Sequence, residues 1–152
     1  MKLRAASIED MMLYFTWAND PVVRQNSINK SPITLENHIG WFSKKIEDHQ
    51  TLFLIFEEDG SNIGQLRIDF DNEAGEAIIN FSIDERERGK GFGTKMLLLA
   101  HEHYQALGFK LAFTGYVQLL NKASSKAFEK SGFELQKEHK LINGDPYLEY
   151  RK

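Results

Sequence analysis

The chain has 152 residues, of which 41% are hydrophobic and 27% charged, a composition typical of one soluble globular domain. Its formal net charge of −3 gives no overall basic field for nucleic acid, and no apolar run reaches membrane-spanning length. Cysteine is absent, which excludes a cysteine nucleophile, a thiolate metal site and disulfides and is typical of a cytoplasmic protein. We therefore expect one domain over residues 1–152, in which any anion-binding site is local.

The first third of the chain predicts a strand and two helices. Residues 2–6 alternate in polarity, as a short strand does. Ser7 is a good N-cap with Asp10 three residues later, and apolar residues then recur at helical spacing. Residues 17–32 form a polar connector. Thr34 caps a second helix, whose apolar positions repeat with helical period as far as residue 46.

The rest of the chain alternates strands and helices. Three strand-like runs, TLFLIFEE, NIGQLRIDF and EAIINFSID, are separated by turn signals at Asp59-Gly60 and Asp71-Asn72. Residues 94–107 predict an apolar helix, KLAFTGYV a further strand and residues 121–131 a last helix. FELQKEHKL and PYLEY predict a hairpin around Asn143-Gly144. These elements indicate a mixed α/β domain whose helices interrupt a largely antiparallel sheet.

Residues 88–93 read RGKGFG and lie between a predicted strand and a predicted helix. Alternate glycines leave the backbone bare, and the unpaired N–H groups of a helix start attract anions such as phosphate. No register supplies the spacing of a Walker A loop. The dinucleotide fingerprint needs a further glycine where Thr94 stands. The loop therefore indicates an anion site of another kind.

The pattern R-x-x-G-x-G resembles the pyrophosphate loop of the GCN5-related N-acetyltransferases (GNAT), which bind acetyl-coenzyme A. NKASSKAFEKSGF, residues 121–133, is similar to a later helix of that family, and the order of elements agrees along the chain. The resemblance implies an α/β (α+β) fold with a mostly antiparallel mixed sheet of about seven strands and about four helices. It also implies acetyl transfer to a primary amine by direct attack in a ternary complex. The cofactor contacts that it implies are Phe81, Ser82, Ile83, Arg88, Gly89, Lys90, Gly91, Phe92, Gly93, Thr94, Asn121 and Lys126.

The resemblance implies catalytic positions with two departures from the family pattern. Many relatives carry a glutamate base where Ile78 stands, so Glu76, on the same strand face, is the candidate base acting through water. The tyrosine acid of many relatives is replaced by Phe128, and Ser124, three residues after Asn121, becomes the candidate acid. Asn121 completes the catalytic set. The alternatives are a solvated strand-end carboxylate at Glu76 and an ordinary polar helix position at Ser124.

The acceptor pocket of the family is built largely by the first two helices and their connector, and here the candidate acceptor residues are Trp17, Asn19, Arg24, His38 and Trp41. Aromatic rings near an arginine suit a flat base and phosphates. The pattern W-x-N-x4-R with H-x2-W-F resembles acetyltransferases of the pseudaminic acid route, which acetylate a nucleotide-linked amino sugar, and the resemblance makes such a sugar the expected acceptor. A related branch that acetylates ribosomal-protein N-termini shares the Trp-Asn start and the Asn-x-x-Ser helix. Core positions are the alternative for the tryptophans and His38.

Three further expectations complete the prediction. His101 and His103 are two residues apart on a predicted helix and point away from each other, so no metal is expected. The partners are acetyl-CoA and a small amine, without nucleic acid or membrane, and a homodimer is left open. A binding module that holds acyl-CoA without turnover is the alternative to an enzyme, because the usual Tyr and Glu are missing.

Overall fold

The computed structural model describes residues 1–137 and 139–152. Eight strands form one mixed sheet in the order β1-β2-β3-β4-β5-β8-β6, with β7 paired to β8. The strands are β1 (Lys2–Ala5), β2 (Thr51–Glu58), β3 (Ser61–Asp71), β4 (Glu76–Ile83), β5 (Ala112–Gln118), β6 (Glu134–Leu135), β7 (Lys140–Ile142) and β8 (Asp145–Arg151). The described α-helices are α1 (Met11–Ala18), α2 (Pro21–Gln25), α3 (Leu35–Lys45), α4 (Phe92–Ala106) and α5 (Lys122–Lys130).

The N-terminal segment differs in detail from the prediction. A 3-10 turn over Ile8–Asp10 precedes α1, and the Asp10 carboxylate accepts a hydrogen bond from the Ser7 backbone N–H at 2.8 Å. The helix then continues to Ala18, so Trp17 belongs to α1 and not to the connector. The connector itself contains α2, which the sequence pattern did not predict. The Asp20 carboxylate caps α2.

The C-terminal run FELQKEHKL was predicted as one strand, and this prediction was wrong. It forms two short strands, β6 and β7, and position 138 between them lies outside the described residues. The predicted turn at Asn143-Gly144 is confirmed, because both residues have positive φ, 51° and 83°, and join β7 to β8. The sheet therefore has one strand more than expected.

The sheet carries a different core on each face because successive side chains of a strand point to opposite sides. Leu54 and Phe56 of β2 belong to the core under α4 and α5, whereas Phe53 and Ile55 belong to the core under α1 and α3. We call these two sides of the sheet the α4 face and the α1 face. The α1-face core consists of Tyr14, Trp17, Phe42, Phe53 and Ile55.

A gap opens in the middle of the sheet between β4 and β5. β4 pairs with β3 along its whole length but with β5 only where Glu76–Ile78 lies parallel to Ala112–Thr114. Beyond that point β5 pairs with β8, and in the described structure no ladder joins residues 79–83 to residues 115–118. We call this gap the splay. Backbone N–H and C=O groups on its two inner edges need hydrogen-bond partners, so the splay suits a ligand that carries amides.

Candidate active site

The glycine loop leads directly from β4 into α4. Gly89 and Gly91 have φ of 78° and 79°, a conformation that is costly for residues with a Cβ, and Gly91 is the N-cap of α4. The helix begins at Phe92, two residues before its predicted start. The N–H groups of its first turn have no intrahelical acceptors. The loop therefore presents several backbone donors at the positive end of a helix dipole.

The cations of the loop are held by neighbouring side chains. Arg88 forms an ion pair with Asp20 at 2.8 Å, and its Nε donates to the Ile83 carbonyl at 3.1 Å. Lys90 pairs with Glu87 at 2.8 Å. Anion binding at this loop thus falls mainly to the backbone. Arg88 instead holds the loop against the connector.

A second bridge ties the start of the loop to α1. The Trp17 indole Nε1 donates to the Asp84 carboxylate at 3.0 Å, and Trp17 is only 5% exposed. Hydrogen bonds from Arg86, and then from Trp17, hold the pKa of Asp84 well below its usual range. Asp84 directly follows β4. The Trp17–Asp84 and Asp20–Arg88 contacts therefore fix α1 and the connector to the glycine loop.

The end of β4 supplies one wall of the splay. Phe81 packs towards the core of the α4 face, and its ring lies 5.7 Å from Phe128. Ser82 is buried on the α1 face and its hydroxyl accepts a hydrogen bond from Gln65 at 3.1 Å. Ile83 packs against the α4-face core. Their side chains are thereby fixed on both faces, and the backbone edge between them faces the gap.

The α5 helix packs close to the start of α4. An ideal Cβ on Gly93 would be 3.5 Å from Ala127 of α5, an ordinary contact. Asn121 is the N-cap of α5 and its side-chain oxygen accepts from the Ser124 N–H at 3.2 Å. Ser124 is half-buried and Lys126 is exposed. The structure thus places Asn121 and Ser124 together, while Lys126 extends into solvent from the same helix.

Phe128 occupies the position of the missing tyrosine and is 2% exposed. Its ring stacks on Tyr150 with centroids 5.3 Å apart, and a Cβ at Gly115 would collide with it. Gly115 therefore makes room for the ring at the edge of the splay. Phe128 has no hydroxyl, so it cannot protonate a leaving thiolate.

Glu76 is buried in the paired part of β4, two residues before the splay begins, with 7% exposure, and is not a solvated strand-end carboxylate. Both of its oxygens accept from the Tyr116 hydroxyl, at 2.9 and 2.8 Å, and Arg151 donates to it at 3.1 Å. Burial, together with the Glu76 hydrogen bond, raises the pKa of Tyr116. The sequence reasoning missed Tyr116. The sequence feature that could have identified it is the alternation of polar residues, Thr114, Tyr116 and Gln118, in an otherwise apolar strand.

Two of the predicted acceptor residues hold the connector in place. The Asn19 side chain exchanges two hydrogen bonds with the backbone of Ile33, each 2.8 Å long. The Arg24 guanidinium donates to the Ala18 carbonyl at 2.6 Å and to the Asn29 carbonyl at 2.8 Å. Both side chains are therefore bonded to main chain of the connector rather than presented to a ligand.

The other predicted acceptor residues belong to α1 and α3 themselves. His38 is 1% exposed and its Nε2 lies 2.8 Å from the Met11 carbonyl, so Nε2 carries the proton. Burial lowers the pKa of His38. Trp41 is 38% exposed, and the Arg67 guanidinium lies 5.3 Å from its ring centroid. Of the five candidates, Trp41 alone is exposed.

The α1 face of the sheet carries a polar surface between the connector and the splay. Strand alternation and register place on it Gln65, Arg67, Asp69, Glu76, Asn80, Ser82, Thr114, Tyr116, Gln118, Tyr147, Glu149 and Arg151. We call this the polar face. The charges beside the splay are paired: Arg67 with Asp69 at 2.8 Å, and Arg151 with Glu149 at 2.6 Å. At its far end Gln118 donates to the Ser27 carbonyl of the connector at 3.4 Å.

The combination of a glycine loop, an unpaired splay and an adjoining polar face corresponds to a known family. The family model described as an acetyltransferase (GNAT) domain matches residues 1–134. The chain belongs to the GNAT acetyltransferase family. The expected enzyme class, an acetyl-CoA-dependent acyltransferase, is confirmed at this level. This GNAT chain is 27% identical over 135 residues to the SPbeta prophage-derived uncharacterized N-acetyltransferase YokL of Bacillus subtilis (strain 168), covering 88% of this chain and 75% of the relative.

Solved structures agree with the GNAT fold over 99% of this chain. The aminoglycoside acetyltransferase AAC(6')-Ib in complex with coenzyme A superposes with a TM-score of 0.85 at 18% identity, over 93% of that chain. RimL, a ribosomal L7/L12 alpha-N-protein acetyltransferase in complex with coenzyme A, gives 0.83 at 20% identity over 92% of its length. Spermidine N-acetyltransferase from Vibrio cholerae, in complex with coenzyme A and spermine, gives 0.82 at 17% over 92%. The predicted fold class is confirmed.

Two further findings concern ligands and membranes. Within residues 1–137 and 139–152, no group of three or more His, Asp or Glu side chains is arranged to hold a metal ion. None of the helices in this part of the chain has the length and apolar character needed to cross a bilayer.

Proposed function

We propose that this GNAT enzyme transfers the acetyl group of acetyl-CoA to a primary amine of a small hydroxylated acceptor, an amino sugar, lying on the polar face. The observation that carries the proposal is the composition of that face. Neutral donors and acceptors line it, including Gln65, Asn80, Tyr116 and Gln118, while the charges beside the splay are already paired. Sugar hydroxyls both donate and accept hydrogen bonds, so they match such a surface.

The cofactor half of the proposal rests on backbone geometry. The N–H groups at the start of α4 face the loop and suit the pyrophosphate, and Gly91 lets the chain approach it closely. The unpaired edges of the splay suit the amides of the pantetheine arm. A main-chain N–H of Phe81, Ser82 or Ile83 is then the donor to the thioester oxygen. Ser124 is the proposed acid for the thiolate.

The paired charges argue against two other acceptor classes. A polyamine needs unpaired carboxylates, but Asp69, Glu76 and Glu149 each contact an arginine of the same face. A phosphate needs a free guanidinium, and Arg24 is bonded to connector carbonyls. An acceptor rich in hydroxyl groups needs neither unpaired carboxylates nor a free guanidinium.

Two narrower acceptors from the sequence patterns stay in the proposal as alternatives. A nucleotide-linked amino sugar would keep the sugar on the polar face and place its base near Trp41, whose ring is partly exposed. A peptide N-terminus is the other, and RimL is a protein of that class with the same fold. The aminoglycoside and spermidine enzymes named above extend the comparison to small amines.

An amine panel tests the proposal. Release of free thiol from acetyl-CoA is measured with glucosamine, ribostamycin, a nucleotide-linked amino sugar, spermidine and an N-terminal peptide at matched concentrations. We expect the highest kcat/KM with an amino sugar. Preference for spermidine or the peptide would overturn the acceptor class. Tight acetyl-CoA binding without thiol release for any amine would favour the non-catalytic module.

A further inference from the structure

We propose that Tyr116 is a catalytic residue that relays the proton of the attacking amine to Glu76. The inference rests on the proposed function, because it needs an amine on the polar face. It differs from a base that acts through water, since a protein hydroxyl takes the place of that water.

Tyr116 lies just past the point where β4 and β5 separate. Ile78 and Thr114 form the last pair between β4 and β5, so the splay begins there. Tyr116 is two residues further along β5, on the polar face, and its hydroxyl reaches Glu76 on β4. The side chain therefore crosses from β5 to β4 at the closed end of the splay. A thioester in the splay and an amine on the polar face would meet beside this hydroxyl.

The hydrogen bonds that Glu76 already makes favour Tyr116 as the group that meets the amine. The carboxylate is 7% exposed, and its two oxygens already contact the Tyr116 hydroxyl and Arg151. A direct approach of the amine to Glu76 would have to displace one of these donors. The Tyr116 hydroxyl has one proton, which it donates to Glu76, and so its lone pairs are left to accept an N–H. Tyr116 is half-buried and thus more accessible than Glu76.

The surrounding charges favour a concerted relay. Arg151 and Glu149 of β8 face Tyr116 and Glu76, and Arg67 and Asp69 of β3 lie beside them on the polar face. Burial and the neighbouring carboxylate raise the pKa of Tyr116, so a free tyrosinate does not form at neutral pH. The proton must then enter and leave the hydroxyl oxygen in one step. Arg151 keeps the carboxylate oriented to receive it.

In the proposed relay, proton transfer is coupled to attack of the amine on the thioester. The amine lone pair forms a C–N bond to the thioester carbonyl carbon, and the C=O π electrons move to oxygen. One N–H proton passes to the Tyr116 oxygen while the Tyr116 proton passes to Glu76. The tetrahedral species then re-forms the C=O bond and breaks the C–S bond, and the thiolate takes a proton from Ser124, whose oxygen regains one from solvent. Glu76 returns its proton through Tyr116 to solvent, so the net products are the amide and coenzyme A thiol.

The test compares Tyr116→Phe, Glu76→Gln and the double variant with wild type. Tyr104→Phe is the matched control, because Tyr104 belongs to α4 and its hydroxyl donates to the Leu111 carbonyl, away from the splay. Acceptor kcat/KM is measured from pH 5.5 to 9.5 with the best amine of the panel, starting with glucosamine and ribostamycin. Acetyl-CoA affinity by calorimetry and thermal melting establish that each variant is folded and binds cofactor.

We expect Tyr116→Phe and Glu76→Gln each to lower kcat/KM about 100-fold or more at neutral pH, with acetyl-CoA affinity within about threefold of wild type. The double variant should lose little beyond either single variant, because the two groups act as a unit. The rising limb of the pH profile should move towards the pKa of the amine itself. A merely structural role would lower the rate without moving that limb.

Other outcomes overturn the relay. Wild-type kcat/KM and an unmoved pH limb in folded Tyr116→Phe would remove Tyr116 from the chemistry, and multiplicative losses in the double variant would show that the residues act separately. If wild type fails to bind acetyl-CoA or acetylates no amine, the proposed function fails, and the relay with it. If Tyr116→Phe does not fold, Glu76→Gln alone decides through the same pH limb.

Discussion

The proposed cofactor half and the proposed acceptor half of this enzyme differ in how their residues are used. In the cofactor half, β4, the glycine loop and α4 form one contiguous segment, and Gly91 is needed for its backbone conformation. In the acceptor half, Asn19 and Arg24 hold main chain of the connector, and His38 holds Met11. Arginine, asparagine and histidine side chains near a binding site can therefore serve equally well as internal hydrogen-bond donors. Residue type alone cannot separate these roles.

The largest expected effect tests the chemistry of the cofactor half. Ser124→Ala should lower kcat about ten- to a thousandfold at unchanged acetyl-CoA affinity, because general-acid assistance to the leaving thiolate is lost. Steady-state kinetics and calorimetry measure the two quantities. Ser125→Ala, which removes a buried hydroxyl one position along α5, is the control and should retain nearly full kcat. Equal rates for the two variants would mean that Ser124 is an ordinary helix residue.

Next in size is the effect of the loop glycine. Gly91→Val should weaken acetyl-CoA binding about ten- to a hundredfold, because a branched side chain disfavours the left-handed conformation and obstructs the phosphate. Gly60→Val is a closely matched control: Gly60 also has φ 79° and open space around its Cβ position, but lies in the β2–β3 turn. Both variants should lose similar stability. If calorimetry shows equal acetyl-CoA affinity in both, the loop does not bind the pyrophosphate.

A substitution of Arg24 tests whether this side chain holds the connector or contacts the acceptor. Arg24→Ala should lower the free energy of unfolding by about 1–3 kcal/mol, because connector carbonyls lose a charged donor. It should raise the acceptor KM and leave the acetyl-CoA KM nearly unchanged, since the connector adjoins the polar face through Ser27. Denaturant unfolding and kinetics measure both. A variant of wild-type stability that has lost inhibition by a nucleoside diphosphate would instead identify Arg24 as a phosphate contact.

The smallest expected effect concerns pH. Burial lowers the pKa of His38 below its unfolded value of about 6.5, so its contribution to stability is present above that value and is lost as pH falls through the folded pKa. Melting temperature should therefore fall from pH 7.5 to 5, and His38→Gln should flatten this slope. The exposed His49→Gln is the control. An unchanged slope in His38→Gln would assign the pH dependence to another group.

Much of the fold was predictable because periodicity and turn chemistry are local. The Asp59-Gly60 and Asn143-Gly144 turns fall where their residues permit positive φ. The division of FELQKEHKL into two strands and the presence of α2 depend on pairing and capping that the apolar pattern does not encode. Within the site, the loop and the α5 N-terminus are contiguous motifs. The Tyr116–Glu76–Arg151 contacts join residues up to 75 positions apart, and only the sheet register brings them together.

The manner in which Asn19 and Arg24 fasten the connector also has a use in engineering. Both side chains bind main-chain atoms, of Ile33 and Asn29 respectively, so these hydrogen bonds do not depend on the side chains of residues 28–32, whereas Ser27, whose hydroxyl accepts from Arg24 at 3.0 Å, is kept. Residues 28–32 are exposed. This stretch can therefore be randomised as a cassette while its two ends stay pinned. Libraries built there would search for new acceptor preferences without altering the part of the enzyme that carries the acetyl donor.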